Sequence, residues 1–71
     1  MAELLEFVVN EDSKICNKVV RDLNFPRSAI IAGIIRDGKG NIVLGDFKIL
    51  NHDRIVVCCL KDSINKVEKL F

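Results

Sequence analysis

The 71-residue sequence contains no tryptophan or tyrosine, a single proline, a single histidine, and no excess of either charge. The histidine, His52, lies in a polar turn sequence with no cysteine at zinc-ligand spacing, so the sequence predicts no metal site. The 11 lysines and arginines are scattered among 10 acidic residues. Because phosphate binding depends on clustered basic residues, we expect no nucleic-acid partner.

Long apolar runs are also missing. The two longest, Ala29–Ile35 and Ile55–Leu60, are far shorter than the roughly 20 residues that a helix needs to cross a bilayer. The first residues show no basic stretch followed by an apolar segment, which argues against a secretory signal. We therefore expect a cytoplasmic protein with no direct membrane insertion.

Catalytic motifs are scarce as well. Cys58 and Cys59 are adjacent in a predicted strand, where their side chains should point to opposite faces, and Cys16 is distant in sequence. Their spacing does not fit a redox pair, and no two carboxylates are placed for acid and base work. We predict no catalytic residue and no enzyme activity. A small thiol enzyme that uses Cys58 or Cys59 is the alternative from another functional class.

Apolar periodicity and turn residues divide the chain into six elements without repeats or linkers. The predicted order is a strand at Glu3–Val9, a helix at Asn17–Asn24 capped by Asn17, strands at Ser28–Arg36, Asn41–Leu44 and Arg54–Leu60, and a helix capped by Asp62 or Ser63. Asp37-Gly38-Lys39-Gly40 predicts a tight hairpin. This order predicts one small α+β domain over residues 1–71, with a mostly antiparallel sheet and helices on one face.

Two predicted strands, Ser28–Arg36 and Arg54–Leu60, are apolar on both faces. Two short helices can cover only one side of the sheet, so a lone chain would leave apolar side chains in water. The sequence therefore predicts a homodimer or burial against a neighbouring domain. A distorted sheet that wraps on itself is the alternative.

Arg36 is the strongest candidate for a ligand contact, because it ends an apolar strand just before the hairpin. Its guanidinium can bind a phosphate or carboxylate through two parallel hydrogen bonds. The alternative is an internal ion pair with Asp37, Asp46 or Asp53.

Four segments in this order and spacing resemble the C-terminal TrkA-type domain, also called the RCK C-terminal domain. They are Glu3–Val9, NKVVRDLNFP (residues 17–26), SAIIAGIIRDGKGNIVLGD (residues 28–46) and HDRIVVCCL (residues 52–60). The most specific part is the apolar strand that ends in Ile-Arg-Asp-Gly, with Gly-Asp following it. The family commonly has glycine where this chain has Asn17 and His52, and proline where it has Val43.

This resemblance implies a non-catalytic ligand-sensing and dimerisation domain of potassium uptake or channel proteins. It implies a homodimer, a membrane potassium-translocating subunit as partner of the parent protein, and a cytoplasmic place at the inner face of the membrane. The domain would hold no cofactor of its own but would bind a small anionic effector, a nucleotide or cyclic dinucleotide, at the dimer interface. The residues that the resemblance assigns to this pocket are Ile31, Ile35, Arg36, Asn41 and Val43.

The family's nucleotide-binding domain usually precedes this module and is not present in the sequence. We therefore expect the chain to be a fragment of a longer protein. The same module regulating another transporter or a transcription factor is the alternative within the class of binding domains.

Overall fold

A computed structural model describes all 71 residues and contains one four-stranded antiparallel sheet. The strands are β1 (Ala2–Val8), β2 (Ala29–Arg36), β3 (Lys39–Asn41) and β4 (Arg54–Leu60), and their order in the sheet is β1-β4-β2-β3. One α-helix, α1 (Ile64–Glu68), follows β4 through a 3-10 turn. The predicted α+β class and the antiparallel sheet are confirmed.

The most apolar strand, β4, occupies an interior position and pairs with β1 on one side and β2 on the other. Ile55, Val57 and Cys59 alternate along it and are buried on the face that we call the inner face. The core collects nine buried side chains: Val9, Ile15, Ala29, Ile34, Ile49, Ile55, Val57, Cys59 and Val67. Each fully buried aliphatic side chain of this kind contributes about 1.5–3 kcal/mol, so this single layer holds the fold together.

A β-bulge interrupts the pairing of β2 with β4 between Ile31 and Gly33. Ile31 faces Val57 before the bulge, whereas Ile34 faces Ile55 after it. The extra residue shifts the alternation by one position, so Ile31 and Ile34 both pack on the inner face. A regular alternation would have put these two side chains on opposite faces.

The β2–β3 hairpin turns through two residues, Asp37 and Gly38, because Arg36 pairs directly with Lys39. Both turn residues have positive φ, 53° and 76°, as a type I′ turn requires. The predicted hairpin is therefore present. The returning strand ends at Asn41 rather than at Leu44, because β3 makes its only ladder with the end of β2.

The helix predicted at Asn17–Asn24 is wrong, since only Val20–Asp22 is helical and its geometry is 3-10. Asn17 adopts a left-handed φ of 68° and does not cap a helix. Its backbone N–H donates to the Ile49 carbonyl at 2.8 Å, and the N–H of Ile49 donates to the Lys18 carbonyl at 2.9 Å. The segment is thus held by a neighbouring extended chain, which takes the hydrogen bonds that a helix would have made within itself.

Ser63 occupies the predicted N-cap position of the final helix, but its side chain makes no cap hydrogen bond. Ser63 is buried instead, and its hydroxyl is hydrogen-bonded to the hydroxyl of Ser28. The helix is held by packing, since Val67 is fully buried in the core. Short helices depend on such contacts because they are marginal alone.

Candidate functional site

Arg36, at the end of β2, forms a two-pronged ion pair with Asp53, the residue just before β4. Its Nε donates to Asp53 Oδ1 at 2.8 Å and its Nη2 donates to Asp53 Oδ2 at 2.7 Å. Nη2 also donates to the Lys48 carbonyl at 2.8 Å, and the guanidinium carbon lies 4.6 Å from the centroid of the Phe47 ring. Of the three acidic partners considered from the sequence, the structure selects Asp53.

The Asp53 carboxylate is almost fully buried, with 1% of the side chain exposed. Its Oδ2 also accepts a hydrogen bond from the backbone N–H of Leu50 at 2.8 Å, which closes the turn before β4. Burial acts to raise the pKa of Asp53, but the hydrogen bonds from Arg36 and Leu50 outweigh it and lower that pKa. The same ion pair raises the pKa of Arg36, chiefly through the hydrogen bond to Asp53.

The guanidinium keeps one free edge. The side chain of Arg36 is 31% exposed, and none of its hydrogen bonds uses Nη1. A guanidinium carries five N–H donors, two of them on Nη1. Arg36 is therefore fixed in position by Asp53 while two of its donors remain available to an anion.

Ile35 and Asn41 line an open groove of about 330 Å³ beside the β2–β3 hairpin, together with Ala32, Gly33, Ile34, Gly40, Ile42 and Val56. The Asn41 side-chain amide donates to the Lys39 carbonyl at 3.1 Å, which keeps it against the hairpin backbone. We call this space the hairpin groove. Two of the five predicted pocket residues thus lie in one groove.

Ile31 and Val43 line a second, wholly apolar groove of about 220 Å³, whose other walls are Val20, Leu23, Phe25, Ala29 and Ile30. Both side chains pack against the core from the inner face. Within the chain the five predicted residues therefore occupy two grooves and one ion pair. The structure does not bring them into a single cavity.

The face of the sheet opposite the core, which we call the outer face, carries apolar side chains in water. Leu4, Cys58 and Ile30 lie side by side across β1, β4 and β2. Leu4 is 70% exposed and Ile30 is 63% exposed, with Val8 and Leu60 also exposed on neighbouring positions. Exposed apolar side chains that adjoin one another in this way mark interaction surfaces.

Sequence reasoning did not identify all of this surface, because the faces of the β2 residues depend on the bulge. Ile30 and Ile42, which is 90% exposed, were not among the predicted site residues. Gly33, in the middle of an apolar strand, was the available signal, because an isolated glycine in a strand often marks a bulge.

The cysteines of β4 point to opposite faces, as predicted. Cys59 is buried in the core, and burial raises the pKa of its thiol. A raised pKa lowers the thiolate fraction that a nucleophile needs. Cys58 is half-buried on the outer face. No three His, Cys, Asp or Glu side chains converge on a common point where a metal ion would fit, and no helix has the length and apolarity to span a membrane.

Known proteins are similar to this chain in both sequence and fold. Residues 4–71 match the TrkA-C domain family. The chain is 34% identical over 70 residues to the Trk system potassium uptake protein TrkA homolog 2 of Methanosarcina mazei, covering 99% of this chain and 16% of that protein. It is 31% identical over 71 residues to a TrkA homolog of Pyrococcus abyssi, covering 97% of this chain and 31% of that protein.

A solved structure described as an RCK domain with cda superposes with a TM-score of 0.77 at 25% sequence identity, and the match covers 96% of each chain. The chain spans well under half the length of the curated relatives that it matches. The family match nevertheless extends over almost every residue described above, from β1 to the end of the chain. This chain belongs to the TrkA-C domain family.

Proposed function

We propose that this domain is a non-catalytic regulatory module of a potassium transport protein, that it forms a homodimer through the outer face, and that it binds a small anionic effector beside Arg36. The observation that carries the proposal is the exposed apolar outer face, which one protomer leaves uncovered. The potassium role is supported by the names of the relatives, which are potassium uptake proteins.

The outer face has the charge pattern of a self-complementary surface. Glu6 on β1 and Arg54 on β4 are diagonal neighbours, since Glu6 faces Val56 and Val8 faces Arg54, and they form an ion pair. A two-fold interface brings the same patch of each copy together, so it needs both members of each complementary pair on that patch. The apolar side chains Leu4 and Ile30 would then be shielded in the centre, with the Glu6 and Arg54 charges able to exchange partners across the axis.

The size of the face predicts a dimer of modest stability. The domain extends 30 Å and 22 Å along its two longest axes, which limits the area of the outer face. A standard interface buries about 800 Å² on each partner. Almost the whole outer face must therefore be used. A ligand that binds the dimer better than the monomer would shift such an equilibrium, which is the energetic basis of effector sensing.

The effector site is proposed at the hairpin end of the sheet. The free edge of the Arg36 guanidinium supplies donors for a phosphate, and Ile35 and Asn41 line the hairpin groove. Ile31 and Val43 are also assigned to the proposed site, because they line the apolar groove, and that groove includes Ile30 of the outer face. Because these residues are separate in one protomer, the proposed pocket would be completed by the partner copy.

The regulated system is proposed from the relatives. In the parent protein the domain would act on a membrane potassium-translocating subunit from the cytoplasmic side, at the inner face of the membrane. Cys59 does not favour a thiol enzyme, since burial raises its pKa, and no motif supplies a base for Cys58.

Light scattering during size-exclusion chromatography tests the dimer. We expect the wild type to elute with twice the 8.0 kDa protomer mass at high concentration. The double variant Leu4→Thr and Ile30→Thr should dissociate at least about tenfold more readily, because two exposed apolar anchors are lost. Leu44→Thr, at another exposed leucine outside the sheet, is the matched control. A monomeric wild type, or equal behaviour of the two variants, would contradict the proposed interface.

Calorimetric titration with nucleotides and cyclic dinucleotides tests the effector site. Arg36→Ala would leave the buried Asp53 without its partner, so Arg36→Lys is the better variant because it retains the charge. If Arg36 binds the phosphate, Arg36→Lys should weaken binding by about 1.5–3 kcal/mol, and Arg27→Lys, at an exposed arginine elsewhere, should not. Binding that is unchanged in Arg36→Lys would remove Arg36 from the site.

A further inference from the structure

A third groove, of about 290 Å³, includes neither Arg36 nor Asp53 in its lining and is lined by Lys14, Lys18 and Lys69. Its apolar walls include Leu23 and Leu70. It shares no residue with the hairpin groove and only Leu23 with the apolar groove. We call it the lysine groove.

The three ammonium groups in this groove have no carboxylate partner. The two ion pairs of the domain, Arg36 with Asp53 and Arg54 with Glu6, use none of these lysines. The Nζ atom of Lys14 lies 3.5 Å from the Lys69 carbonyl oxygen, which is long for a hydrogen bond. The ammonium groups of Lys18 and Lys69 make no hydrogen bond or ion pair within the chain, and that of Lys14 makes only this long one.

The backbone that carries two of these lysines is anchored. Lys18 donates its N–H to the Ile15 carbonyl at 3.1 Å, and its own carbonyl accepts from the N–H of Ile49 at 2.9 Å. Ile15, next to Lys14, is buried in the core. Charges on a fixed loop lose less entropy on binding than charges on a mobile one, so this arrangement favours a ligand.

We propose that the lysine groove binds a small organic phosphate, with the phosphate between the ammonium groups and the organic part against Leu23 and Leu70. The volume of about 290 Å³ lies just below the range of about 300–1,000 Å³ for small-molecule sites, so only a small ligand would fit. Three ammonium groups face a single carboxylate, that of Asp22, in the lining. This excess of positive charge selects an anion, and the apolar walls favour a phosphate ester over free phosphate.

A lipid surface fits these observations less well. Recognition of anionic lipids usually takes clusters of about 4–8 basic residues, and the groove offers three. A concave site with apolar walls also buries a single small molecule better than it contacts a flat bilayer. We therefore treat vesicle binding as an outcome of the test.

The probe is phenyl phosphate, which combines a dianionic phosphate with an apolar ring, and inorganic phosphate is the comparison. Titration of the ¹⁵N-labelled domain should shift the amide signals of residues 14–18, 22–24 and 69–70. Any shift at Arg36 and Asp53 would report the effector site proposed above and should persist when Lys14 and Lys18 are replaced by glutamine. This pattern separates the lysine groove from the effector site proposed above. Phenyl phosphate should bind more tightly than inorganic phosphate because only the ester covers the apolar walls.

Two sets of variants locate the site. The double variant Lys14→Gln and Lys18→Gln should weaken phenyl phosphate binding at least about tenfold, since two charged hydrogen bonds are lost. The matched control, Lys39→Gln with Lys61→Gln, removes the same charge elsewhere and should bind normally. Asp22→Asn should tighten binding about twofold to fivefold by removing a like charge. This gain cannot result from unfolding.

Three results would overturn the proposal. The first is an equal loss of affinity in the two double variants, which would mean that only net charge matters. The second is shifts confined to Arg36 and its neighbours. The third is sedimentation with phosphatidylserine vesicles in the absence of any shift with phenyl phosphate, which would assign the lysines to a membrane surface.

Discussion

Replacing Asp53 by asparagine tests whether the Arg36–Asp53 ion pair is a main support of the fold. The substitution keeps the volume of the side chain and one acceptor oxygen, but it removes the charge and one of the two oxygens that Arg36 grips. Removing one partner of a fully buried ion pair costs about 3–5 kcal/mol. Because the side chain of Arg36 is 31% exposed, water can solvate part of its freed charge. We therefore expect a loss of about 2 kcal/mol.

That loss is large for a domain of this size. At about 0.05–0.15 kcal/mol per residue, a 71-residue domain has a small free energy of unfolding. With a urea dependence of about 1 kcal/mol per molar, Asp53→Asn should lower the unfolding midpoint by about 2 M. Circular dichroism during urea titration measures this change. Glu6→Gln, which breaks the exposed ion pair with Arg54, is the matched control and should cost less than about 1 kcal/mol.

The pH dependence gives a second measure of the same ion pair. The folded state lowers the pKa of Asp53 below its ordinary value of 3.8. The stability that the carboxylate contributes is therefore fully present above the unfolded pKa and is lost as the pH falls through the folded pKa. The difference in free energy of unfolding between the wild type and Asp53→Asn should be constant above about pH 5 and should decrease below pH 3.8. A loss no larger than that of Glu6→Gln, or a difference that does not decrease in acid, would refute this reasoning.

Two further predictions concern the backbone and the thiols. His52 has a φ of 75°, so His52→Gly should raise the free energy of unfolding by about 0.5–1 kcal/mol, whereas Asn51→Gly in the same turn should lower it, as urea titration of both variants would show. Cys59 is buried and has a raised pKa, so N-ethylmaleimide should modify it far more slowly than Cys58 in the native protein. Equal rates, measured by peptide mass spectrometry, would mean that the sheet opens readily.

Local sequence was sufficient where neighbouring residues alone determine the element. The bounds of β4, Arg54–Leu60, follow from the apolar run Ile55–Leu60 and the arginine before it. Asp37-Gly38 specified its turn because few other residue pairs tolerate two positive φ angles. Asn17 and His52 both adopt left-handed φ, which favours glycine, in agreement with the glycines that the resemblance implies at these positions.

Sequence reasoning failed where distant partners decide the structure. The segment after Asn17 is not an α-helix because its backbone bonds to residues near Ile49, some 30 positions away in the chain. The face of Ile34 could not be assigned without the bulge, which depends on the pairing with β4. For the same reason the five predicted pocket residues, which are close in sequence, separate into two grooves and an ion pair.

The bulge in β2 has a consequence for how this domain can vary. Ala32 is the residue that the pairing with β4 leaves out, since Ile31 faces Val57 and Gly33 faces Val56. Deleting this one small, exposed residue would leave Ile31, Gly33 and Ile34 opposite the same partners in a regular ladder, so Ile34 would stay in the core and Arg36 beside Asp53. Deleting Ile35 would instead move Arg36 to the opposite face of the sheet, so the strand can lose a residue at the bulge but not beyond it.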